Sequence, residues 1–344
     1  MSATESSEPP YAPKTAAIGG QPTVGVDVPI TSVFLFLFLC GAVANMTIFQ
    51  LNRRRGHKFI MSAMMFGFCM ARIVTMIMRI VWACYPDDVR IGIAAMIFVS
   101  AGVLILFLIN LIFAQRILRA AHPHFGWKKT LTVIFDVLYF GILAMLAMVI
   151  TATVQSFYTL NTNTHRIDRN LQMTASSYLL MISFLPIPMV ILGIILPRKT
   201  RLEKFGTGRW RSKIAILLTT SVLLCLGASF RSGTTYKNPR ARDDPAWYDA
   251  KWCFYFFNFT LEIIVVYLYI ILRVDLRFHI PDGSKGPGDY VRETKPGKEA
   301  SGMQEARRSS SITRVMSEEE VFDGEMPEDT RAEKDVERQI GSSQ

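Results

Sequence analysis

The sequence has few of the residue patterns that mark an enzyme or a metalloprotein. Its five cysteines stand far apart, without the paired spacing of a zinc site or a redox motif. It has no H-E-x-x-H motif and no glycine-rich phosphate loop, and His122 and His124 alone cannot complete a metal site. We therefore expect no enzyme activity, no metal and no cofactor.

Charge is also scarce, because only 19% of the 344 residues are charged whereas 50% are hydrophobic. The apolar residues form long blocks, which a soluble enzyme would not show. The net charge of +10 does not indicate a nucleic-acid partner, since its basic excess lies in short loops between those blocks. The tail, residues 282–344, is acidic, with 10 Lys and Arg against 15 Asp and Glu.

Seven apolar blocks are long enough, or nearly so, to cross a bilayer, which takes about 20 residues of helix. The predicted blocks are 29–51, 60–83, 91–114, 131–154, 174–196, 214–230 and 252–272. The sequence therefore predicts an all-α fold, a seven-transmembrane helix bundle in direct contact with the lipid bilayer.

The loops after helices 1, 3 and 5 hold 15 Lys and Arg, and the alternate loops hold 8. The positive-inside rule then places the N-terminus outside. We expect residues 1–28 to be a disordered extracellular tail, 29–280 the bundle and 281–344 a disordered cytosolic tail. The default location is the plasma membrane. In the tail, the serines beside basic or acidic runs are phosphorylation candidates: Ser310, Ser311 and Ser317.

Four ionisable residues lie within the predicted helices, where each costs on the order of 2.5–3.5 kcal/mol unless it has a partner. At about 1.5 Å per residue, Arg72 in helix 2 and Glu262 in helix 7 reach similar depths. We predict that these two helices are neighbours, that Arg72 pairs with Glu262, and that Arg79 lies near Asn258, Tyr255 or the outer loops.

The predicted intramembrane cluster lies on one face of each of these two helices and consists of Arg72, Thr75, Arg79, Tyr255, Asn258 and Glu262. Two interpretations remain open: an interhelical lock and a ligand site. Cys84 and Cys253 both lie near the outer ends of these helices, so a disulfide between them is a further alternative.

A second, inner polar cluster is predicted from similar depths of Asn45, Asn110 and Asp136. The alternative for Asp136 is simple attraction to Lys128 or Lys129. In helix 5, Pro186 and Pro188 predict a bend that frees backbone carbonyls.

Known seven-helix signatures are absent. Helix 7 has no lysine for a retinal Schiff base, and the Asp/Glu-Arg-Tyr and Asn-Pro-x-x-Tyr motifs of the largest receptor class are missing.

Several segments nevertheless resemble an uncharacterised family of fungal seven-helix membrane proteins, whose members are sometimes labelled family-C-like G-protein-coupled receptors. The resemblance rests on Glu203–Arg209, Leu226–Arg231, Phe254–Phe259 with Glu262, Tyr269, Arg273–Phe278, Pro281 and Gly286–Tyr290. A looser similarity is to fungal lipid-translocating exporter-like proteins.

In the receptor-like interpretation, a ligand binds on the outer side, and the basic third inner loop with the C-terminal tail engages a G protein or another cytosolic partner. The alternatives for the basic inner loops are binding of anionic lipid head groups and no partner beyond the leaflet that orients them. The loop residues are Arg198, Lys199, Arg201, Lys204, Arg209, Arg211 and Lys213. With 28 residues ahead of helix 1, we expect a small-molecule or lipid ligand to bind within the helix bundle or the short outer loops. The alternatives are a lipid or amphiphile translocator and, third, a structural scaffold.

Overall fold

The computed structural model describes residues 9–11, 15–56, 59–196, 202–281, 283–284 and 286–290, which form helices joined by short connections. The α-helices are α1 (Asp27–Arg54), α2 (Ile60–Cys84), α3 (Val89–Gly102), α4 (Leu104–Ala121), α5 (Pro123–Gly126), α6 (Lys129–Tyr158), α7 (Thr162–Phe184), α8 (Pro186–Ile195), α9 (Trp210–Tyr236), α10 (Lys251–Tyr255), α11 (Leu261–Ile271) and α12 (Val274–Arg277). A 3₁₀ turn covers Trp247–Asp249, and a π-helix covers Phe256–Thr260.

In the part of the chain that the structure describes, seven continuous or broken helices are long and apolar enough to cross a membrane, which confirms the predicted all-α fold class. Spans 1 to 7 are Asp27–Arg54, Ile60–Cys84, Val89–Ala121, Lys129–Tyr158, Thr162–Ile195, Trp210–Tyr236 and Lys251–Ile271. Span 5 begins 12 residues before the predicted segment, because its first turns are polar and hydropathy does not detect them. Span 6 extends beyond the predicted segment at both ends.

Three of the described spans are not single α-helices: span 7 contains the π-helix, and spans 5 and 3 are each broken for an identifiable reason. In span 5, α7 ends at Phe184 and α8 begins at Pro186, which lacks the N–H needed to continue the helix. In span 3, α3 ends at Gly102, and the Val103 N–H turns back to the Ala101 carbonyl. The Val99 carbonyl does not accept from the Val103 N–H and instead accepts a hydrogen bond from a side chain of span 2. This arrangement is expected where a side chain inserts into the hydrogen-bond ladder of a helix.

At one end of the bundle, called the outer end here, residues 15–26 form the N-terminal strap. Its backbone pairs with the connection between spans 6 and 7, through Ala16 to Arg240 and through Gly19 to Asp249. Gly19 has φ +80°, and a Cβ there would lie 2.6 Å from Phe254, so only glycine allows this approach. The strap differs from the disordered tail predicted through residue 28.

At the opposite, inner end, residues 202–209, 274–281 and 286–290 form the inner cap. Phe278 stacks on Phe113 of α4 with ring centroids 4.4 Å apart, and Phe205 and Tyr290 pack beside them. The Arg116 guanidinium donates to the Phe278 carbonyl at 2.5 Å. Residues 286–290, which fall within the tail predicted from residue 281, therefore pack on the bundle, and residues 291–344 lie outside the described part of the chain.

Candidate functional site

The predicted pair between Arg72 and Glu262 is present. Arg72 Nε and Nη2 each donate to one carboxylate oxygen of Glu262, both at 2.6 Å. Both side chains are fully buried, at 0% and 2% exposure. A bidentate arginine–carboxylate pair combines charge with fixed geometry, so it joins spans 2 and 7 in one orientation.

Arg72 also reaches span 3. Its Nη1 donates to the carbonyls of Val99 at 2.9 Å and Phe98 at 3.3 Å, next to the break in that span. The guanidinium carbon lies 5.5 Å and 5.3 Å from the ring centres of Phe68 and Phe259. A Cβ on Gly102 would lie 2.8 Å from this carbon, so the absence of a side chain there makes room for the arginine.

Arg231 of span 6, one residue beyond the predicted segment 214–230, is a third member of this group. Its Nη2 donates to Glu262 Oε1 at 2.8 Å. Arg72, Arg231 and Glu262 form the core triad, which carries one more positive than negative charge. The carboxylate is therefore shared by two arginines.

Nearer the outer end, Asp27, Arg79, Lys251 and Tyr255 form the outer charge cluster. The buried Asp27 carboxylate pairs with Arg79 at 2.9 Å and Lys251 at 2.5 Å. The Tyr255 hydroxyl donates to Asp27 at 2.8 Å and accepts from Arg79 Nε at 3.2 Å. This cluster also carries an excess of one positive charge, and it places Arg79 beside Tyr255 as predicted.

The outer charge cluster is closed by the strap. Arg79 Nη2 donates to the Gly19 carbonyl at 3.2 Å, and its guanidinium carbon lies 4.0 Å from the Phe254 ring centre. Lys251 Nζ also donates to Thr23 at 2.6 Å. A ligand approaching Arg79 from the outer end would compete with these contacts.

In the described part of the chain, the side chains of two residues of the predicted cluster form hydrogen bonds only within their own spans. The Thr75 hydroxyl donates to the Ala71 carbonyl, and the Asn258 amide donates to the Phe254 carbonyl. Asn258 lies in the π-helix, a distortion that often accompanies functional sites. Both residues are buried in the bundle.

The inner cluster predicted from Asn45, Asn110 and Asp136 differs from the observed one. Asp136 lies on an exposed face of α6 and is not brought together with the two asparagines. Asn110 instead accepts from the hydroxyl of Tyr269 and donates to Ser221 at 3.2 Å. The three residues lie at similar depths in the bundle, but α6 is rotated about its axis so that Asp136 faces outward.

Asn110, Thr220, Ser221 and Tyr269 form the inner polar network, which joins spans 3, 6 and 7 without a charge. Asn45 donates to the Gly41 carbonyl of its own helix. It also lines a cavity of about 20 Å³ beside Tyr269 and Asp275, which is room for one water molecule.

Among the predicted partner-binding residues, Lys204, Arg209 and Arg211 are exposed at the inner end. Lys213 is buried and donates to the Phe205 carbonyl at 2.5 Å, so a partner could reach it only after the inner cap opened. Arg198, Lys199 and Arg201 lie outside the described residues, as do Ser310, Ser311 and Ser317.

Both cysteines of the suggested disulfide are free thiols, and Cys253 is buried while Cys84 is exposed. Within the described ranges, no three His, Cys, Asp or Glu side chains converge as a metal site would require.

Three charged residues that complete the site were not identified from the sequence: Asp27, Arg231 and Lys251. Each lies one or two residues outside a predicted apolar segment, where a charge is normally assigned to a loop. The available signal was helical periodicity, because Arg231 continues the face of Thr220 after 11 residues, about three turns.

Comparisons with known proteins give one match. No curated protein and no solved structure matches the chain. The model of a family described as "Protein of unknown function (DUF3112)" matches residues 123–210 and 209–279, a little under half of the chain. Over these residues, which include Arg231, Lys251 and Glu262 but not Asp27, Arg72 or Arg79, the chain is similar to that family.

Proposed function

We propose that this integral membrane protein is receptor-like: it binds a small or lipidic ligand in the outer half of the bundle and signals through its inner loops and C-terminal tail. The supporting observation is the pair of charge clusters, whose members lie on spans 1, 2, 6 and 7 and hold four cations against two carboxylates. Ionisable residues within membrane spans are costly, and they are by default candidates for a functional site.

The arrangement also offers a route from the outer to the inner half. Spans 6 and 7 meet at Arg231 with Glu262 and again at Thr220 with Tyr269. Glu262 and Tyr269 are seven residues apart on one helical face, about 10 Å. A shift of span 6 caused by a ligand at the core triad would therefore strain the inner polar network on the same helices.

The inner end has features that suit a regulated partner site. Lys204, Arg209 and Arg211 are exposed there, and the neighbouring cap residue Phe205 is almost fully buried. An acidic surface of a G protein or another cytosolic partner would be attracted to these side chains. Movement of the inner cap would change how they are presented.

Native mass spectrometry of the gently purified full chain tests ligand binding directly. We expect a stoichiometric small molecule or lipid on the wild-type protein that is lost in Glu262→Gln. The matched control is Asp136→Asn, which removes a carboxylate from the exposed face of α6 and should keep the bound species. If Glu262→Gln does not fold, Tyr255→Phe replaces it as the test variant, because the Tyr255 hydroxyl links Arg79 to Asp27.

No bound species on the wild-type protein or on either variant would contradict ligand binding. The core triad would then be an interhelical lock in a structural scaffold.

Signalling is tested by replacing Lys204, Arg209 and Arg211 together with glutamine and measuring co-purification of G protein. The receptor-like function predicts its loss. Glutamine at the exposed outer residues Lys237, Arg240 and Arg242 is the control and should leave co-purification unchanged. Equal recovery with both triple variants would count against signalling through this loop.

A lipid or amphiphile translocator is the second candidate. It is favoured by the cations that extend from the outer end, at Arg79 and Lys251, to the middle of the bundle, at Arg72 and Arg231, because they could guide an anionic head group. Movement of fluorescent phospholipid between leaflets of proteoliposomes tests it. Transport by the wild-type protein that survives the inner triple substitution but not Glu262→Gln would favour translocation over sensing.

A further inference from the structure

The two arginines that share Glu262 differ in how fully they are satisfied. Arg72 uses Nε, Nη1 and Nη2 as donors and has no exposed surface. The Arg231 guanidinium makes a single hydrogen bond within the described part of the chain, from Nη2 to Glu262. Its Nε is enclosed and has no partner there, although 21% of the side chain is exposed.

This difference leaves Arg231 as the under-compensated charge. An arginine cannot lose its proton to escape burial, and a buried donor without an acceptor is destabilising. Glu262 already accepts two hydrogen bonds from Arg72, so it cannot neutralise both guanidinium groups. The outer charge cluster has its own positive excess and supplies no spare carboxylate.

Arg231 is also placed where a ligand could reach it. It lies five residues before the outer end of α9, about 7.5 Å along the helix. Beside it, Phe230 stacks on Phe257 of the π-helix with ring centroids 4.0 Å apart, which provides an apolar wall. A charged donor next to an aromatic wall suits an anionic group attached to an apolar body.

Resting on the proposed ligand-binding function, we infer that Arg231 is the ligand-binding residue of this site and that its ligand carries an oxyanion, a phosphate or carboxylate. The Nη hydrogens that Glu262 does not use donate to the oxyanion, and Glu262 orients the guanidinium from the other side. The geometric match of a guanidinium fork to an oxyanion makes arginine better suited than lysine here. Arg72 is the fixed structural member of the pair.

Binding to the full chain in detergent tests this inference with two probes, phosphatidic acid for a lipid source and inorganic phosphate for a soluble one. Native mass spectrometry measures lipid affinity relative to phosphatidylcholine, and competition by phosphate is measured in the same samples. We expect Arg231→Gln to lower affinity at least tenfold and Arg231→Lys to lower it less. Arg240→Gln, at an exposed outer arginine, is the control and should bind as the wild type does.

The outcomes distinguish a lipid ligand from a soluble anion, and they distinguish failure of this inference from failure of the proposed function. Selective phosphatidic acid binding that phosphate does not displace supports a lipid ligand, and displacement by phosphate supports a soluble anion. Equal affinity of the wild type and Arg231→Gln for both probes overturns the assignment of Arg231. A co-purifying species that depends on Glu262 but not on Arg231 overturns this inference alone, whereas no bound species and no probe binding overturn the proposed function as well.

Discussion

The outer half of the bundle joins its spans through buried ion pairs, whereas the inner half joins them through uncharged polar groups and aromatic rings. Buried charges also occur at the inner end, at Lys213 and Asp275, but these lie in or against the inner cap. In the outer half, Asp27 and Glu262 each accept two cationic partners. In the inner half, the Tyr269 hydroxyl and the Asn110 amide satisfy each other, and Phe113 and Phe278 close the end. The same spans, 3, 6 and 7, contribute to both halves.

This difference indicates how each half responds to loss of one partner. Removing one member of a buried ion pair leaves an uncompensated charge, which costs several kcal/mol. Removing one neutral hydrogen bond costs only about 1 kcal/mol. In the outer half, a charge whose hydrogen bonds are all made should therefore be held rigidly. A charge that lacks hydrogen-bond partners there should change its contacts more readily.

The largest effect is expected from Arg72→Gln, which leaves Glu262 without its bidentate partner and frees two carbonyls of span 3. The expected loss in free energy of unfolding is about 3–5 kcal/mol. Arg231→Gln should cost clearly less, because Arg72 still pairs with Glu262. Reversible unfolding in mixed micelles measures both, and equal losses for the two variants would contradict the distinction between them.

Gly102→Ala tests the close packing of span 3 on Arg72. The added Cβ would lie 2.8 Å from the guanidinium carbon, so overpacking should cost about 1–3 kcal/mol. Gly67→Ala in α2 is the control, because nothing lies within 4 Å of its Cβ position and alanine favours a helix there. The same unfolding measurement should show no loss for the control, and a similar loss at both glycines would refute the packing argument.

Tyr269→Phe tests the inner polar network. Removing the hydroxyl leaves the Asn110 amide still bonded to Ser221, so the expected loss is about 0.5–1.5 kcal/mol. Tyr158→Phe at an exposed tyrosine should change stability by less. A loss as large as that of Arg72→Gln would mean that the two halves do not differ as described.

The smallest effect concerns Asp275, beyond the last span. Burial raises the pKa of this carboxyl, but hydrogen bonds from Arg273 and Asn52 outweigh burial and hold the pKa below its ordinary value. Its stabilising contribution is therefore complete above the ordinary pKa and is lost as the pH falls through the lowered one. The difference in unfolding free energy between wild type and Asp275→Asn should shrink between pH 7 and acid pH, and a constant difference would contradict this.

The sequence was sufficient to predict the spans and the pairing of Arg72 with Glu262, because a charge in an apolar helix needs a partner at its own depth. It was insufficient for Asp136, which has a depth similar to Asn45 but lies on an exposed face. Depth follows from counting residues along a helix, whereas facing depends on how that helix is rotated against its neighbours. No residue count supplies that rotation.

The residues missed were those at the ends of spans. Arg231 and Asp27 belong to helices that continue past the apolar segment, and their charges turn inward because buried partners attract them. The N-terminal strap, residues 15–26, is a related case, since Gly19 and Thr23 accept hydrogen bonds from Arg79 and Lys251, which are distant in sequence.

The amino-acid sequence by itself determined that this chain forms seven membrane-spanning helices and that Arg72 must meet Glu262, because both follow from the high cost of exposing charge to hydrocarbon. Only the tertiary structure decided that Arg231 shares that carboxylate and that Asp27 anchors Arg79. These contacts depend on the relative rotation and tilt of helices distant in sequence, which packing of the whole bundle sets. The same packing leaves the Arg231 guanidinium, near the outer end, with an Nε that has no hydrogen-bond partner among the described residues.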